Sequence, residues 1–203
     1  MNLTPLGIEG AWLAESPVRS DDRGFFREWF KADEVYAKTG MDFPLQQANI
    51  SQSQRGVIRG LHYSVARAGQ AKWVTCVSGS LTDVVVDIRP NSPTYKKIAY
   101  INLTPMNGFS VLIGAGLSHG FETLEDSTSI AYLLTSKYSP EFEYGINPFD
   151  QDLSINWRVS MKEAIVSRKD FEAPSLQAAQ GRNLLPTFRS VAPNGNEFIN
   201  FKG

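Results

Sequence analysis

"AKWVTCVSGSLTDVVVDI", residues 71–88, sets two β-branched runs on either side of Ser78-Gly79-Ser80. A short glycine-centred linker between such runs is a tight hairpin signal. The pattern continues in both directions. FFREWF (25–30), QQANISQS (46–53) and GVIRGLHY (56–63) come before it. KKIAYINL (96–103), FSVLIG (109–114), LSHGFETL (117–124) and STSIAYLLT (127–135) come after. Gly, Pro, Asn, Asp or Ser bound these runs and punctuate them as strands. Many short strands at regular intervals predict an antiparallel sandwich or barrel, of which the jelly roll is one form.

One helix is predicted over KADEVYAKTG (31–40), begun by Asp33 and stopped by Gly40. A second is expected near SMKEAIVSRKDF (160–171), with Ser160 as its cap. From Ala173 the chain turns richer in Gln, Asn, Pro and Gly, so 173–203 is expected to be a loosely packed surface segment. There is no internal repeat. A length of 203 residues suffices for one well-buried core, and a single domain over 1–203 is expected.

Hydrophobic residues at 42% and charged residues at 20% describe an ordinary soluble globular protein. A formal net charge of −1 gives no electrostatic case for nucleic acid or an anionic membrane. Any anionic ligand must therefore be held by a local cluster of Arg and Lys. The opening MNLTPLGIEG lacks a basic region followed by an apolar one, so no secretory signal is read, and no apolar run is long enough to span a bilayer. Cys76 is the single cysteine and cannot form an intramolecular disulfide, which fits a reducing cytoplasm. In AKWVTCV it reads as a small buried hydrophobe.

Alternation along strands says which side chains share a face. It groups His62 with Gly60 and Ile58, Lys72 with Val74 and Cys76, and Asp83 and Asp87 with Leu81 and Val85. Neighbouring strands offering an imidazole, an ammonium and a carboxylate inward describe a barrel interior that holds a ligand. The bland alternative is that these groups face water from an outer sheet face. His62 and His119 are the only histidines, and neither belongs to an H-x-H or H-x-x-H pair, which argues against a metal site. Proton transfer remains. An imidazole can take a proton from carbon when an adjacent ketone activates that carbon and a fixed cation meets the developing enolate oxygen. Lys72 is a candidate cation, and Tyr132 a candidate acid for returning a proton to the opposite face.

DDRGFFREWF (21–30), QQANIS (46–51), RGVIRGLHY (55–63), QAKWVTCVSGSLTDVVVDIRPNSPTY (70–95), SHGF (118–121), Tyr132 followed by Tyr138-Ser139-Pro140, EYGI (143–146) and SRKD (167–170) occur together in this order. As a set they resemble the dTDP-4-dehydrorhamnose 3,5-epimerase family, over about residues 8–172. The resemblance implies a cupin-type jelly-roll barrel (a double-stranded β-helix), a homodimer, no metal, no cofactor and a dTDP-4-keto-6-deoxyhexose substrate. It implies His62 as proton acceptor, Asp170 as the carboxylate that orients it, Tyr132 as proton donor and Lys72 as the group beside the C4 oxygen. Arg23, Glu28, Gln47, Asn49, Arg59, His119, Glu143 and Lys169 match positions that contact the nucleotide sugar, and Tyr138 matches a ring that stacks on thymine. Arg23, Phe26 and Glu28 lie on a segment implied to reach the neighbouring subunit's site.

Arg59 and His62 are an odd number apart, so both reach one substrate only if the alternation breaks between them, and Gly60 is the natural place for a bulge. Ser64 with VARAGQAK after it, the strand WVTCVSG, and Leu133 after Tyr132 depart from the rhamnose-pathway pattern. They resemble the branch that makes deoxysugars for secondary products or surface glycans, which includes enzymes that invert C3 only or C5 only. The competing readings are a single-centre epimerase, a sugar-nucleotide-binding jelly roll without chemistry, and a cupin-type metal oxygenase.

Overall fold

The computed structural model describes residues 1–67 and 69–188. The chain does turn at Ser78-Gly79-Ser80, where Gly79 has φ +73°, a conformation glycine adopts at no steric cost. The turn does not close the expected hairpin. In chain order the strands are β1 (Asn2–Pro5), β2 (Ala11–Glu15), β3 (Arg19–Asp21), β4 (Gly24–Phe26), β5 (Gln47–Ser53), β6 (Val57–Ser64), β7 (Lys72–Ser78), β8 (Leu81–Val86), β9 (Ile98–Leu103), β10 (Phe109–Ile113), β11 (Ser118–Thr123), β12 (Thr128–Leu134), β13 (Glu143–Gly145) and β14 (Ile165–Val166). One sheet runs β1-β2-β10-β7-β12-β5. The other runs β13-β6-β11-β8-β9, with β14 added parallel to β6, while β3 and β4 form a separate ribbon. β7 and β8 thus stand at interior positions of different sheets, and the turn between them crosses the core.

The reason lies in burial on both faces. Val74, Cys76, Val111 and Ile130 of the first sheet meet Leu81, Val85, Ile101 and Phe121 of the second in the inner core. Behind the first sheet, Trp73, Leu112 and Leu133 are covered by Val35 and Phe43. Behind the second, Leu61, Tyr63, Val84 and Val86 are covered by Ile146, Leu153 and Leu176. Every residue of β8 is buried, Thr82 and Asp83 included, because both faces of the strand are covered. The fold is mainly β, two facing antiparallel sheets in jelly-roll order, as the strand pattern predicts.

Helix α1 (Ala32–Thr39) ends where expected: Gly40 adopts the left-handed conformation and its N–H bonds to Tyr36 O. It begins a residue before Asp33, so that Asp33 and Glu34 fall in its first turn, where their charge suits the helix dipole. The second helix differs from expectation. Ser160 donates to Glu163 in a turn, β14 follows, and the helix α2 (Arg168–Phe171) is capped by Ser167, whose hydroxyl accepts from the Asp170 N–H. A third, α3 (Leu176–Gly181), buries Leu176 and Ala179 against the second sheet, so the expected loose segment is packed at least through these residues. Positions 189–203 of that segment lie outside the described residues. FFREWF is strand only as far as Phe26; Trp29 and Phe30 leave it to pack with Trp73, and the Trp29 carbonyl accepts from Trp73 Nε1. β1 and β2 precede the run of strands read from sequence, their pattern interrupted by Pro5, Gly7 and Gly10.

Across β6 and β11, His62 stands opposite His119 and Arg59 opposite Phe121, so Gly60 and Leu61 together face Gly120 alone. This is the bulge. It corrects the strict alternation that set His62 with Ile58 and Gly60, and turns Arg59 and His62 to one face. Gly60 has φ +115°, and a Cβ there would lie 2.7 Å from both Gly120 Cα and His119 O. Gly60→Ala is expected to destabilise the fold by at least about 1–3 kcal/mol from the backbone conformation alone. Urea unfolding checks this, and an unchanged midpoint would show that the bulge accepts a side chain.

Candidate active site

The two sheets splay at one end around a cavity of about 670 Å³. β5 is the edge strand of the first sheet, and its alternate residues Gln47, Asn49 and Ser51 contribute to the lining. The bulge in β6 brings in Arg59 and His62. β7 starts with Lys72, β11 carries His119, β12 carries Tyr132, and Glu143 opens β13. Tyr138 stands at the mouth, its N–H held by Gln47 Oε1 at 2.8 Å, and Lys169 of α2 completes the wall. Arg59 is held by Ser53 Oγ at 3.0 Å and Gln52 O at 3.3 Å.

Behind His62 lies Asp170, its Oδ1 2.7 Å from His62 Nε2 and its Oδ2 accepting from the Gly60 N–H at 3.2 Å. Burial pushes the Asp170 carboxyl up, but the bonds from His62, Gly60 and Ser167 outweigh it and hold the carboxyl below its usual range. An ionised carboxylate only accepts, so Nε2 carries the proton and the Nδ1 lone pair is left for another partner. That arrangement can receive a proton. It also carries a stability consequence. Asp170 is depressed in the folded state, so its contribution is present above the unfolded carboxyl pKa of about 3.9 and is lost as pH falls through the folded value. Asp170→Asn is therefore expected to be less stable than the parent at neutral pH, the gap narrowing below about pH 4 in pH-dependent thermal melts. Its activity should fall less than that of His62→Ala, because the imidazole remains with a poorer orienting partner. Full activity in Asp170→Asn would sink the pairing.

Tyr132 faces His62 from the opposite sheet. Burial, countered in part by the Ser51 hydroxyl 3.3 Å from its oxygen, holds its phenol protonated well above the ordinary tyrosine range. Lys72 is buried, which pulls its ammonium below the usual range, while Glu143 and Asp83 act to keep its charge. Its Nζ reaches His62 O at 3.5 Å. The cavity thus holds the His62 imidazole on one wall and a protonated phenol on the other, with Lys72 on the strand beside Tyr132 and its Nζ turned to the His62 carbonyl.

Of the two carboxylates that share a strand face, Asp83 belongs here and Asp87 does not. Asp83 Oδ2 lies 2.6 Å from His119 Nε2, beneath the cavity. Asp87 is closed off at the end of β8 by Arg89, Ser92 and Thr94. His62 and His119 each have their own carboxylate, and no group of three or more metal-ligating side chains is gathered among the described residues. Cys76 is buried in the core, which pushes its thiol up to about 11.

Arg23, Phe26 and Glu28 are not brought to this cavity. Arg23 pairs with Asp21 at 2.5 Å, Glu28 with Lys31 at 3.1 Å, and Phe26 is 63% exposed. Conversely, Gln70 and Ser51 line the cavity without having been singled out. Gln70 bonds Glu143 Oε1 at 3.2 Å and Ser136 Oγ at 3.1 Å. Alternation could have found both, since Ser51 lies two residues past Asn49 and Gln70 two before Lys72.

A sequence model of dTDP-4-dehydrorhamnose 3,5-epimerase matches residues 5–178. The chain belongs to the dTDP-4-dehydrorhamnose 3,5-epimerase family. It is 40% identical over 186 residues to a dTDP-4-dehydro-6-deoxyglucose 3-epimerase of Streptomyces sp, covering 92% of this chain and 94% of that one. It is also 40% identical to a dTDP-4-dehydrorhamnose 3,5-epimerase of Streptomyces griseus, with 92% of each covered. Among solved structures, a 3′-monoepimerase from Streptomyces bikiniensis in complex with dTDP-quinovose superposes with a TM-score of 0.86 at 41% identity, covering 90% of this chain and 92% of that one.

Proposed function

We propose that the chain is an isomerase that inverts C3, C5 or both of a dTDP-4-keto-6-deoxyhexose. The observation that carries the proposal is the placement of the His62–Asp170 pair and the Tyr132 phenol on opposite walls of one cavity that Lys72 also lines. His62 Nδ1 takes the proton from the carbon next to the C4 ketone, and the electron pair moves to the C4 oxygen as an enolate. Lys72 stabilises that charge. Tyr132 returns a proton to the opposite face of the same carbon. Proton transfer of this kind balances without an oxidant, reductant or cofactor. Pure binding needs no acid facing a base, which weighs against a jelly roll without chemistry.

The 3-epimerase and 3,5-epimerase relatives stand at the same 40% identity, so inversion at one centre is the second reading. One experiment tests both: the enzyme with dTDP-4-keto-6-deoxyglucose in D2O, followed by NMR at C3 and C5. Deuterium and inversion at a centre assign it to the enzyme, and neither at either centre would overturn the proposal.

The proposal extends to a homodimer. Phe25, Phe26, Ile50 and Val77 are large apolar side chains left 48%, 63%, 74% and 42% exposed, and Ile50 lies on an edge strand that natural proteins usually cover. Arg27 has a buried guanidinium nitrogen without a partner among the described residues. A symmetric partner covering this face would receive Arg23, Phe26 and Glu28 at its own cavity. Arg23→Ala is expected to weaken binding of free dTDP by about 1.5–3 kcal/mol, the range for hydrogen bonds to charged groups. Mixing Arg23→Ala with His62→Ala protein should restore some activity, since one site of a mixed dimer is intact. An active monomer in solution would defeat this part. No helix among the described residues is long and apolar enough to cross a membrane, and a cytoplasmic location is supported by the single buried cysteine.

A further inference from the structure

We infer that Ser51 is a positioning residue for the returned proton: its hydroxyl donates to the Tyr132 oxygen and stabilises the phenolate that forms when Tyr132 gives its proton away. The inference rests on the proposed role of Tyr132 and deepens it. β5 and β12 pair so that Tyr132 stands opposite Asn49 and Ile130 opposite Ser51. Ser51 is therefore the diagonal neighbour of Tyr132 on the cavity face, a spacing within reach of a long side chain. The Ser51 Oγ lies 3.3 Å from the Tyr132 oxygen, and it is the one hydrogen-bond partner of that oxygen among the described residues.

Either oxygen can be the donor when nothing is bound. During the reaction the choice is forced. The Tyr132 O–H must point at the carbon that receives its proton, so its lone pairs face Ser51 and the serine becomes the donor. As the proton leaves, a neutral hydrogen bond becomes a bond to an anion, which is shorter and about twice as strong. The contact is thus worth more in the transition state of reprotonation than in the ground state, the condition for accelerating a step. It matters here because the phenol is half-buried, and its anion is disfavoured by that desolvation and by the Asp83 charge. Arg59 also favours the anion, from further off. His62 and Asp170 lie on the other wall and take no part in this bond, so proton abstraction does not depend on it.

The experiment compares the parent, Ser51→Ala, Ser51→Thr and Tyr132→Phe with dTDP-4-keto-6-deoxyglucose in D2O. NMR reads deuterium incorporation and epimer formation separately, and titration with dTDP reports binding. The expected result for Ser51→Ala is a ratio of inversion to exchange lowered about tenfold, with dTDP binding and exchange rate close to the parent. Ser51→Thr keeps the hydroxyl and should restore the ratio. Equal losses of exchange and inversion in Ser51→Ala, or a ratio unchanged from the parent, would overturn the inference. A ratio that Ser51→Thr fails to restore would do the same. Tyr132→Phe separates the two levels. If it loses inversion while Ser51→Ala does not, only the role of Ser51 fails; if it inverts normally, the donor assignment fails and takes the inference with it.

Discussion

His62→Ala is expected to lower epimerisation by about a hundredfold to ten-thousandfold, the range for removing a positioned general base. Exchange of solvent deuterium into the sugar should fall with it, because the base acts before either outcome is decided. Binding of free dTDP should stay close to the parent value. The imidazole bonds Asp170 behind it, whereas the groups suited to holding a nucleotide, Arg59, Lys169 and the Tyr138 ring, lie elsewhere on the wall. Removing the ring also leaves the Asp170 carboxylate buried without its imidazole partner, bonded to the Gly60 N–H, so a modest loss of stability should accompany the loss of rate. Exchange at the parental rate in His62→Ala would assign the base elsewhere.

Tyr132→Phe is expected to separate the two half-reactions. Only the hydroxyl is removed, and the ring keeps its edge-on packing against His119, with centroids 6.2 Å apart. Abstraction by His62 should continue, and the enolate should recapture a proton or deuteron from the face it left. The result is exchange with retention, and epimer formation reduced by about a hundredfold or more if no other acid reaches the opposite face. Because the loss is confined to one step, the ratio of inversion to exchange is a better reading than the overall rate. A normal epimer yield would show that water or another side chain performs the return.

The strands of the facing sheets were legible in the sequence because their apolar runs and turn residues are local signals. Their pairing was not. Ser78-Gly79-Ser80 carries the composition of a hairpin, and only the burial of both faces of β7 and β8 sends the chain across the core instead. In the same way, Ser160 looks like a cap, but the segment after it finds a better partner in β6, and Ser167 caps the helix. Most of the cavity was legible through the family resemblance, which matched Gln47, Asn49, Arg59, His119, Tyr138, Glu143 and Lys169 to substrate positions, whereas alternation along the strands offered only His62, Lys72 and Asp83. Where that rule failed, at Arg59 and His62, a glycine marked the place. Arg23, Phe26 and Glu28 show the opposite limit, since the motif that names them does not bring them to the cavity of their own chain.

The crossing at Ser78–Ser80 also bears on how the protein reaches its native state. Runs adjacent in sequence do not pair with each other there, so β7 gains its neighbours only when β10 and β12 arrive, and β5 waits for β12. Each pairing closes a long loop before any contact rewards it, which places folding in the slow regime of milliseconds to seconds on the order typical of all-β topologies. Until β10 and β12 dock, WVTCV lies unpaired with high β-propensity and no charge, the kind of segment that seeds aggregation. Expression at low temperature or with chaperones should therefore raise the soluble yield more than any change at the cavity.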